Sequence, residues 1–160
     1  MSGVQVGLLN ISKGAMSGVQ IGSTNGVGEA DVSLDDRAPC MDGIQVGGFL
    51  NDVQGRMRGI QLSAGPLGGN SAGAIVGVQI GASLLPCASG DDDGTMFASN
   101  YALDVSGMQI GLWFNRAKSV HGMQIGLVNY CDSMVGVQIG LVNIITESSV
   151  PFFPIINAHF

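Results

Sequence analysis

Charge is what this chain has least of. Asp, Glu, Lys and Arg make up 11% of its 160 residues, less than half the globular norm of about 25%. The net charge of −6 leaves no basic footprint for nucleic acid or an anionic membrane surface, so polyanion partners are excluded. Long apolar runs are also missing. No stretch reaches the roughly 18 apolar residues of a transmembrane helix. Proline occurs only 5 times and 46% of residues are hydrophobic, so this is not a disordered Gly-rich linker. Three cysteines, Cys40, Cys87 and Cys131, lie far apart in no CxxC or metal-ligand spacing. An odd count argues against a complete disulfide framework, and buried or half-buried thiols are expected instead.

What the chain has is a phrase. Gly-Val-Gln-Ile-Gly-Leu-Val-Asn at 136–143 recurs as near-copies beginning at Gly3, Gly18, Gly43, Gly59, Gly77, Gly107 and Gly122. A weak ninth copy, VPFFPIIN at 150–157, places Pro154 at the second Gly position. Self-similarity at a fixed period is the signature of a stacked repeat architecture. The length is that of one domain, so 1–160 reads as a single repeat domain with a continuous core.

In the unit G-φ-Q-φ-G-L-x-N, where φ is apolar, the second, fourth and sixth places are mostly Val, Ile, Met or Leu. That alternation means a strand with one buried face. The expectation is that these aliphatic places point inward while Gln, Gly and the often apolar seventh place (Leu9, Trp113, Val128, Val142) point outward. Another apolar column, Met16, Met41, Met57, Ile75, Val105, Val120 and Met134, precedes each starting Gly by two residues. The chain should bend at that Gly and turn again near the closing Asn, which accepts the left-handed conformation. Stacked parallel coils would set Gln over Gln and Asn over Asn as amide ladders. The predicted fold is all-β, a parallel β-solenoid (β-helix) of about 14–15-residue coils, roughly ten in number and about 45–50 Å long. The alternative is an antiparallel β-meander or barrel, which explains the period but not the recurrence of the same Gln and Asn.

Two intervals are too long for one coil. GVGEADVSLDDRAP at 26–39 reads as an acidic loop. The stretch 84–106 reads as a second insert that carries Asp91, Asp92 and Asp93, with GTMFASN (94–100) resembling a degraded copy. The Asp run lacks the alternating spacing and closing Glu of an EF-hand, so a solvated turn is expected rather than a metal site. Pro66 and extra glycines loosen the copy at 59–70 into a kink or outward loop.

No catalytic motif accompanies the repeat. His121 and His159 sit in a corner-flanking segment and the tail, and no GxSxG elbow or P-loop is present. The glycines match phosphate-loop glycines by count only. The expectation is a non-enzymatic protein without cofactor, and the sequence identifies no small-molecule substrate. Any catalysis would be that of a hydrolase with its site on the 84–106 insert, because loops on rigid scaffolds carry function.

None of the eight clear copies contains Asp, Glu, Lys or Arg. Such a charge-free sheet suits burial against another protomer, a partner or a lipid surface. The candidate interface residues are Val4, Val6, Leu9, Trp113, Val128 and Val142. The two ends differ. At the C-terminus Pro151, Phe152, Phe153, Pro154 and Phe160 read as a cap, with proline blocking further pairing and the phenylalanines folding over the last layer. The first copy begins uncharged and free of Pro. A homo-oligomer is therefore expected, through the N-terminal coil or the flat sheet.

The GxQIGLxN unit resembles bacterial surface-repeat-containing proteins, and the ending PFFPIINAHF (151–160) is similar to their aromatic tails. The resemblance spans nearly the whole chain and is strongest at 107–157. It implies a surface or envelope location and no assigned activity. MSGVQVGLLN enters a repeat at once, without a basic n-region or apolar h-region, so no secretion signal is expected in the chain as written. A membrane-inserted, outer-membrane-type β protein is the alternative that the apolar alternation suggests. Against it, each copy spans only about eight residues, short of the 9–11 that a spanning strand needs.

Overall fold

The computed structural model describes residues 1–28, 40–65, 68–82, 88–89, 96–97 and 99–160. Its strands in chain order are β1 (Ser2–Ser12), β2 (Met16–Val27), β3 (Met41–Ser63), β4 (Gly69–Gly81), β5 (Ala88–Ser89), β6 (Met96–Phe97), β7 (Asn100–Gly111), β8 (Phe114–Ile125), β9 (Val128–Ile145) and β10 (Phe152–His159). Eight of them form one sheet in the order β1-β2-β3-β4-β7-β8-β9-β10. Every neighbouring pair is parallel except β9 and β10. The fold is therefore all-β, a mostly parallel open sheet of solenoid-like order. An antiparallel meander is ruled out by the parallel ladders. Among the described residues β1 and β10 are free edges, so the sheet does not close into a barrel.

Like stacks on like. The register pairs Gln5 with Gln20, Gln20 with Gln45, Gln61 with Gln79, Gln79 with Gln109, Gln109 with Gln124 and Gln124 with Gln138. The closing Asn residues align in the same way, from Asn10 through Asn25, Asn51, Asn70, Asn100 and Asn115 to Asn129. Each starting Gly has a positive φ, and Gly107 shows why it must be Gly. Its φ is +139°, and a Cβ built there would lie 2.1 Å from the carbonyl oxygen of Gly77 on the neighbouring strand. An L side chain is excluded twice, by conformation and by the close approach of backbone.

The face assignment expected from the repeat is inverted. Gln20, Gln45, Gln61, Gln79, Gln109, Gln124 and Gln138 are fully buried. The second, fourth and sixth places instead point outward, with Ile21, Ile44, Ile60, Ile139, Leu112, Leu127 and Leu141 exposed. The cause is strand parity. Met16, Gly18 and Gln20 alternate with Ser17 and Val19, so one uninterrupted period-two run carries the buried Met column straight into Gln. The glycine does not reset it. The core is made of the Met column, the Gln column, the Asn column and a column two residues past each Asn, which holds Val27, Val53, Ala72, Ala102, Ala117, Cys131 and Ile145.

Other expectations need correction. Within GTMFASN, Met96–Phe97 pairs antiparallel with Ala88–Ser89 in a separate ribbon, and Asn100 opens β7. The ninth copy does not continue the stack either, because VPFFPIIN turns back as antiparallel β10. Among the described residues the column of starting Gly has eight members. The insert at 26–39 starts later than expected, since Gly26 and Val27 still pair within the sheet. Residues 100–106 of the insert at 84–106 belong to β7. Residues 29–39, Pro66 and Asp91 to Asp93 lie outside the described residues. The Asn residues are not left-handed: among the described non-Gly residues only Ile155 has a positive φ, 73°.

Candidate interaction surface

Burying a primary amide without partners costs on the order of 1–3 kcal/mol, so the inward Gln and Asn must bond to something. They bond to each other. Gln20 donates to Gln5, Gln45 to Gln20, Gln61 to Gln45, and so on up to Gln138 to Gln124, at 2.6–2.9 Å. The Asn ladder runs the other way, with Asn10 donating to Asn25, Asn25 to Asn51, and onward to Asn129 donating to Asn143, at 2.8–2.9 Å. The second N–H of each Asn bonds the carbonyl of a fourth-place residue in most copies, as Asn70 does to Ile80 and Asn115 to Ile125. That bond ties the corner shut without a left-handed residue. Gln61, Gln79 and Gln138 likewise donate to backbone carbonyls of Ser71, Tyr101 and Ile144, which fixes the polarity of both ladders.

Because the amides go in, the aliphatics go out. Eight uncharged copies lay Val, Ile, Met and Leu side by side on one flank of the sheet. Among these aliphatic residues exposure is greatest on β1, where Val6 is 73% and Leu8 82% exposed. Near the other end Gly111, Gly126 and Gly140 lie between Ile125, Ile139 and Ile155 and Leu112, Leu127 and Leu141, around a shallow groove of about 360 Å³. The charged residues lie on the intervening Asn-to-Gly segments, among them Asp42, Arg56, Arg58, Asp104, Lys118 and Glu147. There Arg116 stacks over the Tyr130 ring at 5.7 Å, and Tyr130 donates to Asp132 at 3.3 Å. The winding thus has one apolar flank and one charged flank.

The sequence-predicted interface residues are all on the outside, but not as one stripe. Val4, Val6 and Leu9 are exposed on β1, Trp113 is 37% exposed, and Val128 and Val142 are half-buried. Trp113 is not in the seventh-place column; Phe114 pairs with Val128 instead. Apart from Val4 and Val6 of the first copy, the aliphatic second, fourth and sixth places were expected in the core, not on this surface. The parity of the Met column was the signal that identifies them. At the C-terminus β10 does cover the last parallel strand, with a register shift across Pro154. Its aromatics do not fold over the core: Phe152 and Phe153 are exposed and Phe160 is 88% exposed.

His121 and His159, remote in sequence, line one cleft of about 250 Å³ with Ser119, Ser133 and Glu147. His159 Nδ1 bonds the Met134 carbonyl at 2.9 Å. Among the described residues no hydrogen bond joins either imidazole to a serine or to Glu147. No group of three or more His, Cys, Asp or Glu fit to hold a metal occurs among them either. Cys131 is buried and accepts from Gln138 at 3.3 Å. Burial, and secondarily the charge of Asp132, pushes its thiol up to about 12. At pH 8 Cys131 should therefore label with iodoacetamide far more slowly than half-buried Cys40, because the thiolate is the nucleophile. Mass-spectrometric labelling rates test this, and equal rates would contradict it.

No family model matches the chain, and no curated protein or solved structure matches it.

Proposed function

We propose that the chain is a parallel β-solenoid of about 14–15-residue coils that acts as a non-enzymatic interaction scaffold, used through its apolar flank. The observation that carries this reading is the inversion of the recurrent strand. Its Gln is spent on an internal ladder, and its Val, Ile, Met and Leu face outward in every copy without one charge. Monomeric soluble proteins seldom expose contiguous apolar patches beyond a few hundred Å², and this flank repeats along the whole stack. The resemblance of the repeat to bacterial surface-repeat proteins supports an envelope or surface setting.

The test uses Leu127→Lys with Leu141→Lys, two exposed positions on that flank. The double variant should keep its far-UV circular dichroism and lose association, with at least a tenfold rise in Kd, since burying unpaired ammonium groups costs several kcal/mol. Unchanged sedimentation and unchanged partner capture from envelope extracts would sink the reading.

A second reading, a lipid-facing β protein, is favoured by the same apolar-out, polar-in alternation. Charges such as Arg56 and Lys118 on the other segment allow lipid on one flank only. Flotation with neutral phosphatidylcholine vesicles distinguishes the two. Recovery of wild type with the vesicles, lost in the double lysine variant, selects lipid.

A further inference from the structure

The ladders have ends, and the ends are unequal. At the C-terminal edge, β10 runs antiparallel around the corner of the last level. Its Phe153 carbonyl accepts from Asn143 at 3.2 Å. It also sets Asn157 opposite Gln138. Asn157 Nδ2 and Gln138 Oε1, a buried donor and a buried acceptor, are both still without a partner there. The chain thus places an Asn over the ladder Gln to cover that edge.

Nothing among the described residues does this for β1. The last donor of the Gln ladder, Gln5 Nε2, reaches only the thioether of Met1, a weak acceptor, at 3.6 Å. Asn10 gives both its N–H groups away, to Ile21 and Asn25, and its Oδ1 receives no donor. The β1 edge therefore presents one donor held only by a thioether and one unfilled acceptor, five residues apart, beside exposed Val6, Leu8 and Leu9.

We infer that this edge pairs with the same edge of a second copy, antiparallel and about a two-fold axis between Gly7 and Leu8. In that register Gln5 stands opposite the second copy's Asn10, and Asn10 opposite the second copy's Gln5. Gln5 Nε2 then donates to Asn10 Oδ1 twice, once in each direction, and Met1 swings aside. An isologous contact needs a self-complementary patch, and a donor and an acceptor placed symmetrically about one point form one. A head-to-tail stack is disfavoured because β10 already occupies the opposite edge. The continuous pairing gives each β1 the partner that an open sheet edge lacks.

Gln5→Glu tests this without cutting the internal ladder, because a carboxylate still accepts from Gln20. It replaces the outward donor with an acceptor facing an acceptor, so the dimer Kd should rise at least about 100-fold. Sedimentation velocity across micromolar concentrations reads the equilibrium. Backbone hydrogen exchange of β1 reads it independently of any variant: protection of residues 3–10 should grow with concentration. A wild-type dimer that Gln5→Glu dissolves and the Leu127→Lys, Leu141→Lys variant keeps supports edge pairing. A dimer that survives Gln5→Glu but not the double lysine overturns it and leaves the apolar-flank reading intact. A monomer whose β1 amides exchange freely at every concentration, or an open-ended fibre, also overturns it.

Discussion

Replacing Gly107 with alanine should cost more than about 3 kcal/mol, enough to leave much of the chain insoluble on expression. Effects of that size come from few mechanisms, and two of them act together here. The φ of +139° is strained for an L residue, and the added Cβ would sit 2.1 Å from the Gly77 carbonyl oxygen. Backbone on a neighbouring strand cannot move aside as a flexible side chain can. The stack must open by more than an ångström or lose its register. Two other glycines separate the causes. Gly3 has the same kind of φ, +137°, but meets nothing within 4 Å, so Gly3→Ala should cost only the conformational strain of about 1–2 kcal/mol. At Gly14 an added Cβ also meets nothing within 4 Å, and its φ is ordinary. Gly14→Ala should fall within about 0.5 kcal/mol of wild type. Urea midpoints for the three variants should follow that order. Equal losses at Gly3 and Gly107 would show that the close stacking is not what the glycine column serves.

The second large loss should follow Asn115→Ala. Asn115 donates to Ile125 and Asn129 and accepts from Asn100, at 2.7–2.8 Å, and its side chain is wholly buried. Truncation leaves a donor on Asn100 and two acceptors unsatisfied in the core. At about 1–3 kcal/mol for each stranded group, partly relieved if water enters, the total should be about 3–5 kcal/mol. Asn10→Ala removes the end of the same ladder, where no Asn donates to it, and should cost roughly half as much. The comparison is again by chemical denaturation, with unchanged m-values as evidence that both variants unfold from the same folded state. Near-equal losses at the two positions would mean that the ladder does not matter as a chain of bonds.

Much of the architecture was legible before any coordinate. Recurrence of one Gln and one Asn in copy after copy, across unequal intervals, required like to stack on like, and only parallel strands in register do that. The apolar column two residues before each starting Gly from Gly18 on, visible in the sequence, lies in the core. What went wrong was the assumption that an amide faces water and an isoleucine does not. That preference holds for isolated groups. A stack changes it, because each Gln finds a donor and an acceptor one strand away, and the cost of burial vanishes when both are used. Met16, Gly18 and Gln20 share one parity, so the sequence did contain the answer. The fault lay in assigning a bend to the intervening glycine that would exchange the faces. The structure uses positive φ at that glycine for close approach between strands and keeps the alternation.

The C-terminus failed for a different reason. VPFFPIIN matches the unit in apolar pattern, but Pro154 stands where a Gly must let the neighbouring backbone approach; Gly140, for example, has the Gly126 carbonyl 2.0 Å from its Cβ site. A parallel ninth level has no room for that ring. The strand reverses instead and accommodates the corner with a register shift and Ile155 at positive φ. The interface residues were half legible. Charge depletion pointed to the right strand, and parity decided which of its side chains are presented.

The placement of Gln inside and aliphatics outside can be tested on the unmodified chain by the exchange of side-chain amide protons, followed by NMR in deuterated buffer near pH 7. The Nε2 protons of Gln45, Gln61, Gln79, Gln109 and Gln124 and the Nδ2 protons of Asn51, Asn70, Asn100 and Asn115 should be protected by orders of magnitude relative to free amides. Gln5 at the edge should exchange fastest among the ladder glutamines at low protein concentration. If the ladder glutamines exchange as quickly as solvent-exposed amides, Gln faces water, the aliphatic residues form the core, and the apolar flank does not exist.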